Sequence, residues 1–253
     1  MPTWTPAALS AETRPVAGTC WRLVEAQHRV STMKLVDDLD EQDRLERLID
    51  ATKPTVPEEC RHLHYLLFTP FRYGAPYPRG SRFRRAGRTL GVFYAAERDE
   101  TAAAETAFHR LLFFAEAPEV PWPTTASPFT AFACRFGTDR ALDLTAPPLD
   151  ADAAAWSHPT DYGPCQDLAD AARSADVAAL RYASARDPAG GANVALLTCR
   201  AFTTDKPTNQ RSWQVLMGPN GVMATRDLPA RRLFFDRTAF ARDLRIAALR
   251  WER

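Results

Sequence analysis

Charge of one sign is what this 253-residue chain lacks most plainly: 32 basic residues offset 31 acidic ones and leave a formal charge of +1. A chain so close to neutral has no overall field to draw in nucleic acid or an anionic membrane, so any anion site has to be local. Cysteine is sparse. Cys20, Cys60, Cys134, Cys165 and Cys199 are scattered, odd in number, and never form a C-x-x-C pair. This argues against zinc, no other metal is expected, and it points to a reducing, cytoplasmic setting without a disulfide framework. No apolar run approaches the roughly 20 residues that span a bilayer. The opening MPTWTPAALSAETRP has neither the basic nor the apolar region of a secretory signal. There is no P-loop, no G-x-G-x-x-G, no G-x-S-x-G elbow and no H-E-x-x-H, which removes ordinary nucleotide folds, α/β-hydrolases and zincins from consideration. No internal repeat is present.

What remains is an ordinary globular composition, 45% hydrophobic and 25% charged, with 20 prolines that imply many turns. Residues 1–60 read as a polar, proline-bearing arm followed by a helical extension. Within it, WRLVEAQHRVSTMKLV suits strand or helix, and DDLDEQDRLERLIDATKP is a helix with its acids at the N-terminal end. Residues 61–235 hold the main domain. HLHYLLFTPFRY (62–73), LGVFYAA (90–96), FTAFACRF (129–136), ALDL (141–144), VAALRYAS (177–184) and ANVALLTCRAF (192–202) read as strands. A helix runs from an Asp99 cap to about Ala115, and QDLADAARSA (166–175) is another. SWQVLM-GPNG-VMATR (212–226) is a hairpin signature. Residues 236–253 read as an amphipathic helix packed on the core, with a homodimer face as its alternative use. Strands in the middle with helices between and at the ends give an α+β fold, a mixed sheet flanked by helices.

Three stretches carry chemistry. Arg72, Arg79, Arg82, Arg84, Arg85 and Arg88 fall in one strand end and one loop with Gly74, Gly80 and Gly87. Guanidinium forks match phosphate oxygens, and glycines let backbone N–H groups approach an anion, so the pattern suits a pyrophosphate. A solvated loop, or arginines paired with DDLDEQD, is the plain alternative. Glu105 shares a helix face with Thr101, Phe108, His109 and Leu112, beside a slim Ala102–Ala104 turn. A carboxylate there needs partners, and a structural Arg–Glu pair is the competing reading. Ser184 sits where a buried strand meets a Gly-Gly loop, placed to bond a ligand hydroxyl rather than to attack.

Taken together, P-F-R-Y, G-S-R-F, V-F-Y-A, A-E in the next helix and R-Y-x-S-x-R-x-x-x-G-x-x-N-x-A-L resemble the RES domain family over about residues 60–235. The resemblance implies an ADP-ribosyltransferase-like fold and an enzyme that consumes NAD, as a phosphorylase with inorganic phosphate as co-substrate or as a glycohydrolase. It also implies the toxin role of a toxin–antitoxin pair, whose antitoxin partner has an Xre-like helix-turn-helix. The resemblance assigns Arg82, Glu105 and Ser184 to catalysis. It assigns Arg72, Tyr73, Arg82, Tyr94, Ser184, Asn193 and Gln214 to NAD binding, with Arg22 competing for the role of Arg72. The loop Arg84-Arg85-Ala86-Gly87 departs from the family's usual Asn-Pro-Pro-Gly or glycine. Protein ADP-ribosyl transfer at the same site, and a non-catalytic anion- or partner-binding module, are the other functions to weigh.

Overall fold

A computed structural model describes residues 4–25, 35–73, 80–87 and 89–252. Gly74, Arg79 and Arg88, expected in the anion loop, and residues 26–34 lie outside them. Eight strands form one sheet: β1 (Arg14–Glu25), β2 (Phe93–Ala96), β3 (Ser127–Asp143), β4 (Ala179–Ala183), β5 (Ala192–Leu196), β6 (Asn209–Gly218), β7 (Gly221–Arg226) and β8 (Arg231–Asp236). Their order is β1-β2-β5-β4-β3-β6-β7-β8, and β1 also pairs with β3. The first five strands in that order therefore close on themselves. The closure is uneven, which matters for function. β1 runs antiparallel to β3 from Arg14↔Ala141 to Glu25↔Phe129, but it meets β2 only at Trp21↔Ala96. Beyond that single pair the two strands part, and a groove opens between them.

The stretch expected as an arm and helical extension thus supplies a full-length strand of the sheet. The first half of β1 shows most of its side chains to solvent, which is why it reads as loose polar sequence; its partner strand is more than a hundred residues away. The extension does hold helix α1 (Pro6–Ala11) and helix α2 (Leu39–Ala51), the latter capped by Asp38, which accepts from the Glu41 N–H at 2.8 Å. Residues 62–73 are a second difference. They form helix α3 (Tyr65–Arg72), capped by His64, not a strand. Leu63, Leu67 and Phe71 are buried at four-residue spacing, a helical stripe inside a run whose overall apolarity suggests a strand. The two segments 129–136 and 141–144 are one strand, β3. The hairpin at 212–226 forms as read. Gly221 at its turn has φ +131°, and a Cβ there would meet the Phe235 carbonyl oxygen at 2.1 Å, so only glycine fits.

Helix α4 (Asp99–Glu116) crosses the sheet. Ala102, Ala103, Ala104 and Ala107 are buried and let it lie close to the strands. Its cap is Arg98, not Asp99. Asp99 is buried one residue further in. Its carboxylate accepts from Arg211 Nη1 at 2.8 Å, from Trp213 Nε1 at 3.2 Å and from Arg226 Nη1, pinning the helix start to β6 and β7. Burial alone would raise the Asp99 pKa; the Arg226 hydrogen bond and the charges of Arg226 and Arg211 outweigh it and hold the group below the usual carboxylate value. On the same face of the sheet, beside β4 and β5, helices α5 (Ala153–Trp156) and α6 (Gly163–Ser174) pack against Tyr182 and Ala195, while α3 covers the opposite face through Leu67 and Phe71. The C-terminal stretch packs by Phe240, Ile246, Leu249 and Trp251 but is helical only at α7 (Leu244–Ala247). Leu244, at the start of α7, is 80% exposed. Cys60 and Cys199, 139 residues apart, form a disulfide. This corrects the expectation drawn from cysteine spacing, because a pairing across the fold leaves no local signature. Among the described residues no helix is long and apolar enough to cross a membrane.

Candidate active site

The groove between β1 and β2 deepens into a cleft of about 760 Å³. Trp21, Arg22 and Leu23 form one wall, Tyr94 to Ala96 another, and α4 contributes Ala102, Glu105, Thr106, Phe108, His109, Leu112 and Glu116. Arg22 spans the parting strands: its Nη1 donates to the Tyr94 carbonyl oxygen at 3.2 Å, and its guanidinium lies 5.2 Å from the Phe93 ring centre. Burial lowers its pKa.

Glu105 is the centre of the site. Its Oε1 accepts from Ser184 Oγ at 2.7 Å and from Asn193 Nδ2 at 2.6 Å. Its Oε2 has no partner among the described residues and lies on the cleft side. Ser184 is itself fixed. Its Oγ accepts from the N–H groups of Arg186 at 3.1 Å and Asp187 at 2.9 Å, so its one proton is directed at the carboxylate. Asp187 ties the same loop to α4: its Oδ2 accepts from Thr101 Oγ1 at 2.7 Å and from the Gly191 N–H at 3.2 Å. A Cβ on Gly191 would meet Thr101 Oγ1 at 2.1 Å, so this close approach of loop and helix requires glycine there. The Oδ1 of Asn193 is buried without a hydrogen-bond partner.

Arg82 stands at the other end. It is 9% exposed. Nη1 donates to the Trp156 carbonyl at 2.7 Å and Nη2 to the His158 carbonyl at 3.0 Å, and the guanidinium faces the Tyr162 ring at 4.8 Å. No carboxylate pairs with it among the described residues, so its charge is held by dipoles and an aromatic face. Tyr94 lines the cleft with its ring, while its hydroxyl shares a hydrogen bond with Ser81 Oγ at 2.8 Å and accepts from the Phe83 N–H at 2.9 Å. Burial raises its pKa, and that of Tyr182 more strongly, with the nearby Glu105 charge adding to the latter. The Tyr182 hydroxyl has no partner among the described residues.

A family model described as the RES domain matches residues 56–216. The chain belongs to the RES domain family. No curated protein sequence matches it. Among solved structures it is similar to the M. tuberculosis MbcT–MbcA toxin–antitoxin complex, at 15% identity, over 81% of this chain and 89% of that one, with a TM-score of 0.45.

Of the residues singled out in this RES domain's sequence, Arg22, Arg82, Tyr94, Glu105 and Asn193 line one cleft, and Ser184 bonds to Glu105 just behind it. Three lie elsewhere. Arg72 is held by Asp50 at 2.7 Å and by the Pro54 carbonyl, a pairing with the acidic helix α2. The Tyr73 carbonyl oxygen accepts from Arg84 at 2.8 Å, and Tyr73 does not line the cleft. Gln214 is exposed on β6, on the opposite face from the buried Trp213 and Val215. The other described arginines of that loop hold the fold: Arg84 bonds backbone carbonyls, and Arg85 pairs with Asp170 at 2.6 Å and with Asp167 on α6. Sequence reasoning missed Tyr162, Tyr182, Arg186 and Arg245. Tyr182 and Arg186 flank Ser184 in RYASAR, so that motif held the signal. Tyr162 comes in on the turn before α6 and Arg245 on the single-turn helix α7, and neither has a periodicity to mark it. His109, on the same helix face as Glu105, lines the cleft one turn past it. Water reaches it, yet the protein surrounding it still outweighs the nearby Glu105 charge and lowers its pKa. As for metals, ligand atoms of Glu59, Cys60 and Cys199 lie within 4.8 Å of one another, but the two sulfurs are bonded to each other and none of the three lines the cleft.

Proposed function

We propose that this RES domain cleaves the nicotinamide–ribose bond of NAD, with phosphate or water as acceptor, and acts as the toxin of a toxin–antitoxin pair. One observation carries the reading: Ser184 and Asn193, 79 and 88 residues from Glu105 in sequence, both direct donors at a single oxygen of its carboxylate. The other oxygen is left to the cleft. A structural ion pair would have used an arginine instead.

The chemistry follows from charge. As the C–N bond breaks, its electron pair leaves with nicotinamide, which becomes neutral, and positive charge develops on the ribose as an oxocarbenium-like state. A carboxylate held in place on one oxygen presents its second oxygen to that charge without reorganising, and in a partly desolvated site this is worth more than in water. An acceptor oxygen then bonds to the anomeric carbon; water loses a proton in doing so, and phosphate gives ADP-ribose 1″-phosphate. Arg82 supplies uncompensated positive charge for the pyrophosphate, more through its field than through a clamp, since both terminal nitrogens already bond main-chain carbonyls. The rings of Tyr94 and Tyr182 offer faces for the nicotinamide. The partner this reading expects is an antitoxin with an Xre-like part.

Incubation of the purified chain with NAD, with and without phosphate, followed by chromatography, tests the proposal. Free nicotinamide should appear, and the co-product identifies the acceptor. Glu105→Gln keeps the shape and should lower nicotinamide release by about two or more orders of magnitude, within the range attributed to one preorganised electrostatic group. Full activity in that variant removes Glu105 from the reaction.

A further inference from the structure

Strand β8 is the last strand of the sheet, and among the described residues nothing pairs with its outer edge. Open edges present a row of backbone donors and acceptors ready to pair with another chain, and folded proteins ordinarily blunt them. Among the described residues no proline or bulge interrupts this one, and no strand pairs with it on that side. It reads RRLFFD, pairs in regular register with β7 from Arg226↔Arg231 to Gly221↔Asp236, and lies beyond the segment 56–216 that matches the family. Its outward face is apolar at the centre. Phe234 is 62% exposed, and its cross-strand partner Met223 is 43% exposed.

We propose that this edge pairs with the same edge of a second copy, giving a two-fold dimer whose sheet is twice as wide. An antiparallel pair related by a two-fold axis through the sheet keeps each face on its own side, so only residues of like parity can meet. One register satisfies the side chains. It sets Phe234 against Phe234 of the second copy at the axis, and Arg232 against Asp236 of the second copy twice. On the inner face it sets Leu233 against Phe235 of the second copy, extending the apolar layer already beneath the strand. Sliding by two residues puts Arg232 opposite Phe234, or Phe234 opposite Asp236, and loses both charge pairs. A one-residue slip sends the apolar side to the wrong face.

The charges are available for this use. Arg231 is already near Glu100, at 3.6 Å, whereas Arg232 is exposed with no partner among the described residues. Asp236 receives the Thr238 N–H and Oγ1 on Oδ1, with the Ala239 N–H also near its carboxylate, and it is exposed and without a cationic partner among the described residues. Opposite charges directly across a pair of strands stabilise it, and aromatic pairs do likewise.

Sedimentation of the full chain at about 1–100 μM, concentrations suited to a small transient interface, should show a monomer–dimer equilibrium. Arg232→Asp should raise the dissociation constant at least about tenfold, the scale of a cross-strand pair counted twice. Adding Asp236→Arg to it should restore association, with far-UV circular dichroism confirming the fold of both variants. Phe234→Cys, at an exposed position, should cross-link the dimer under oxidation, whereas Met223→Cys, one strand further in, should not; the three free cysteines are buried. A wild type that is monomeric throughout, a dimer indifferent to Arg232→Asp, or cross-linking through position 223 but not 234 would overturn the proposal. None of these outcomes depends on NAD cleavage.

Discussion

Replacing Asn193 with aspartate changes one donor nitrogen into an oxygen and adds a charge beside the proposed catalytic carboxylate. In the native chain Asn193 Nδ2 lies 2.6 Å from Glu105 Oε1. Two ionised carboxylates at that separation repel by roughly 6 kcal/mol at an effective dielectric of about 20. Asn193 is 3% exposed, so water gives little relief, and the two acids should share one proton at neutral pH, as closely spaced carboxylates do. The protonated pair then has one negative charge spread over two groups, and the oxygen facing the cleft is a poorer partner for positive charge. Activity is recovered only when the shared proton leaves. The acid limb of the pH–rate profile for nicotinamide release should therefore move up by at least about one to two pH units, with the activity at high pH partly retained. Asn193→Ala is the control. It removes a hydrogen bond to a charged acceptor, worth about 1.5–3 kcal/mol, and should lower kcat about ten- to a hundredfold while moving the limb up by less than the aspartate variant does, since a donor is lost but no like charge is added. If the aspartate variant gives a profile that overlays the wild type, Glu105 is not the ionised group on which turnover depends.

Two further outcomes concern stability. Asp99→Asn leaves Arg226, itself 6% exposed, with only the more distant Glu100 at 3.6 Å as a charge partner; the cost should fall at the lower end of the about 3–5 kcal/mol for breaking a buried pair, which for a chain of this length lowers Tm by about 6 °C. Because the folded pKa of Asp99 lies below the ordinary carboxylate value, the stabilisation is present above that value and lost as pH falls through the folded one. The variant's Tm should thus fall less steeply than wild type in that acid range, as calorimetry would show. His109 has the same sign for a different reason. Its folded pKa is lowered by the surrounding protein, against the Glu105 charge and with Arg186 and Arg245 nearby, so protonation opposes folding. Stability should decline as pH drops below about 6.5, and His109→Gln should remove part of that decline in urea midpoints measured between pH 7.5 and 5.5.

The sequence was most legible where one element carried its own signal. The alanine turn before Glu105 announced a helix that could lie close to a strand, and the GPNG turn announced its hairpin. It was least legible where an element depends on a distant partner. Nothing within residues 14–25 says that β3 exists, so a core strand looks like an arm. Likewise Cys60 and Cys199 show no spacing rule, and the six clustered arginines look like one anion site. The described ones divide among partners that their spacing does not reveal: Asp50 takes Arg72, α6 takes Arg85, and nearby backbone carbonyls take Arg84. Of these described arginines Arg82 alone reaches the cleft, where its loop turns back on itself through Ser81 and Arg84. The RYASAR motif was informative beyond its serine, since the same six residues supply a cleft tyrosine, the donor to Glu105 and a buried arginine.

A chain with almost no net charge still builds a positive cleft, and the way it does so bears on the proposed substrate. Four arginines line the space: Arg22, Arg82, Arg186 and Arg245. Asp243, fully buried, serves two of them, lying 3.4 Å from Arg186 and 2.8 Å from Arg245; one carboxylate cannot neutralise both. Among the described residues Arg82 and Arg22 have no carboxylate partner, but carbonyl dipoles, aromatic faces and, for Arg82, the Cys165 sulfur at 3.9 Å. Against them stand Glu105 and, near the far end of α4, Glu116. The excess is positive, and it is walled by protein that limits screening. A dianionic pyrophosphate is favoured there, whereas the cationic nicotinamide ring is disfavoured everywhere except beside Glu105. Breaking the glycosidic bond turns that ring neutral and moves the positive charge onto the ribose, against the carboxylate. The same field that holds the substrate thus favours release of its leaving group.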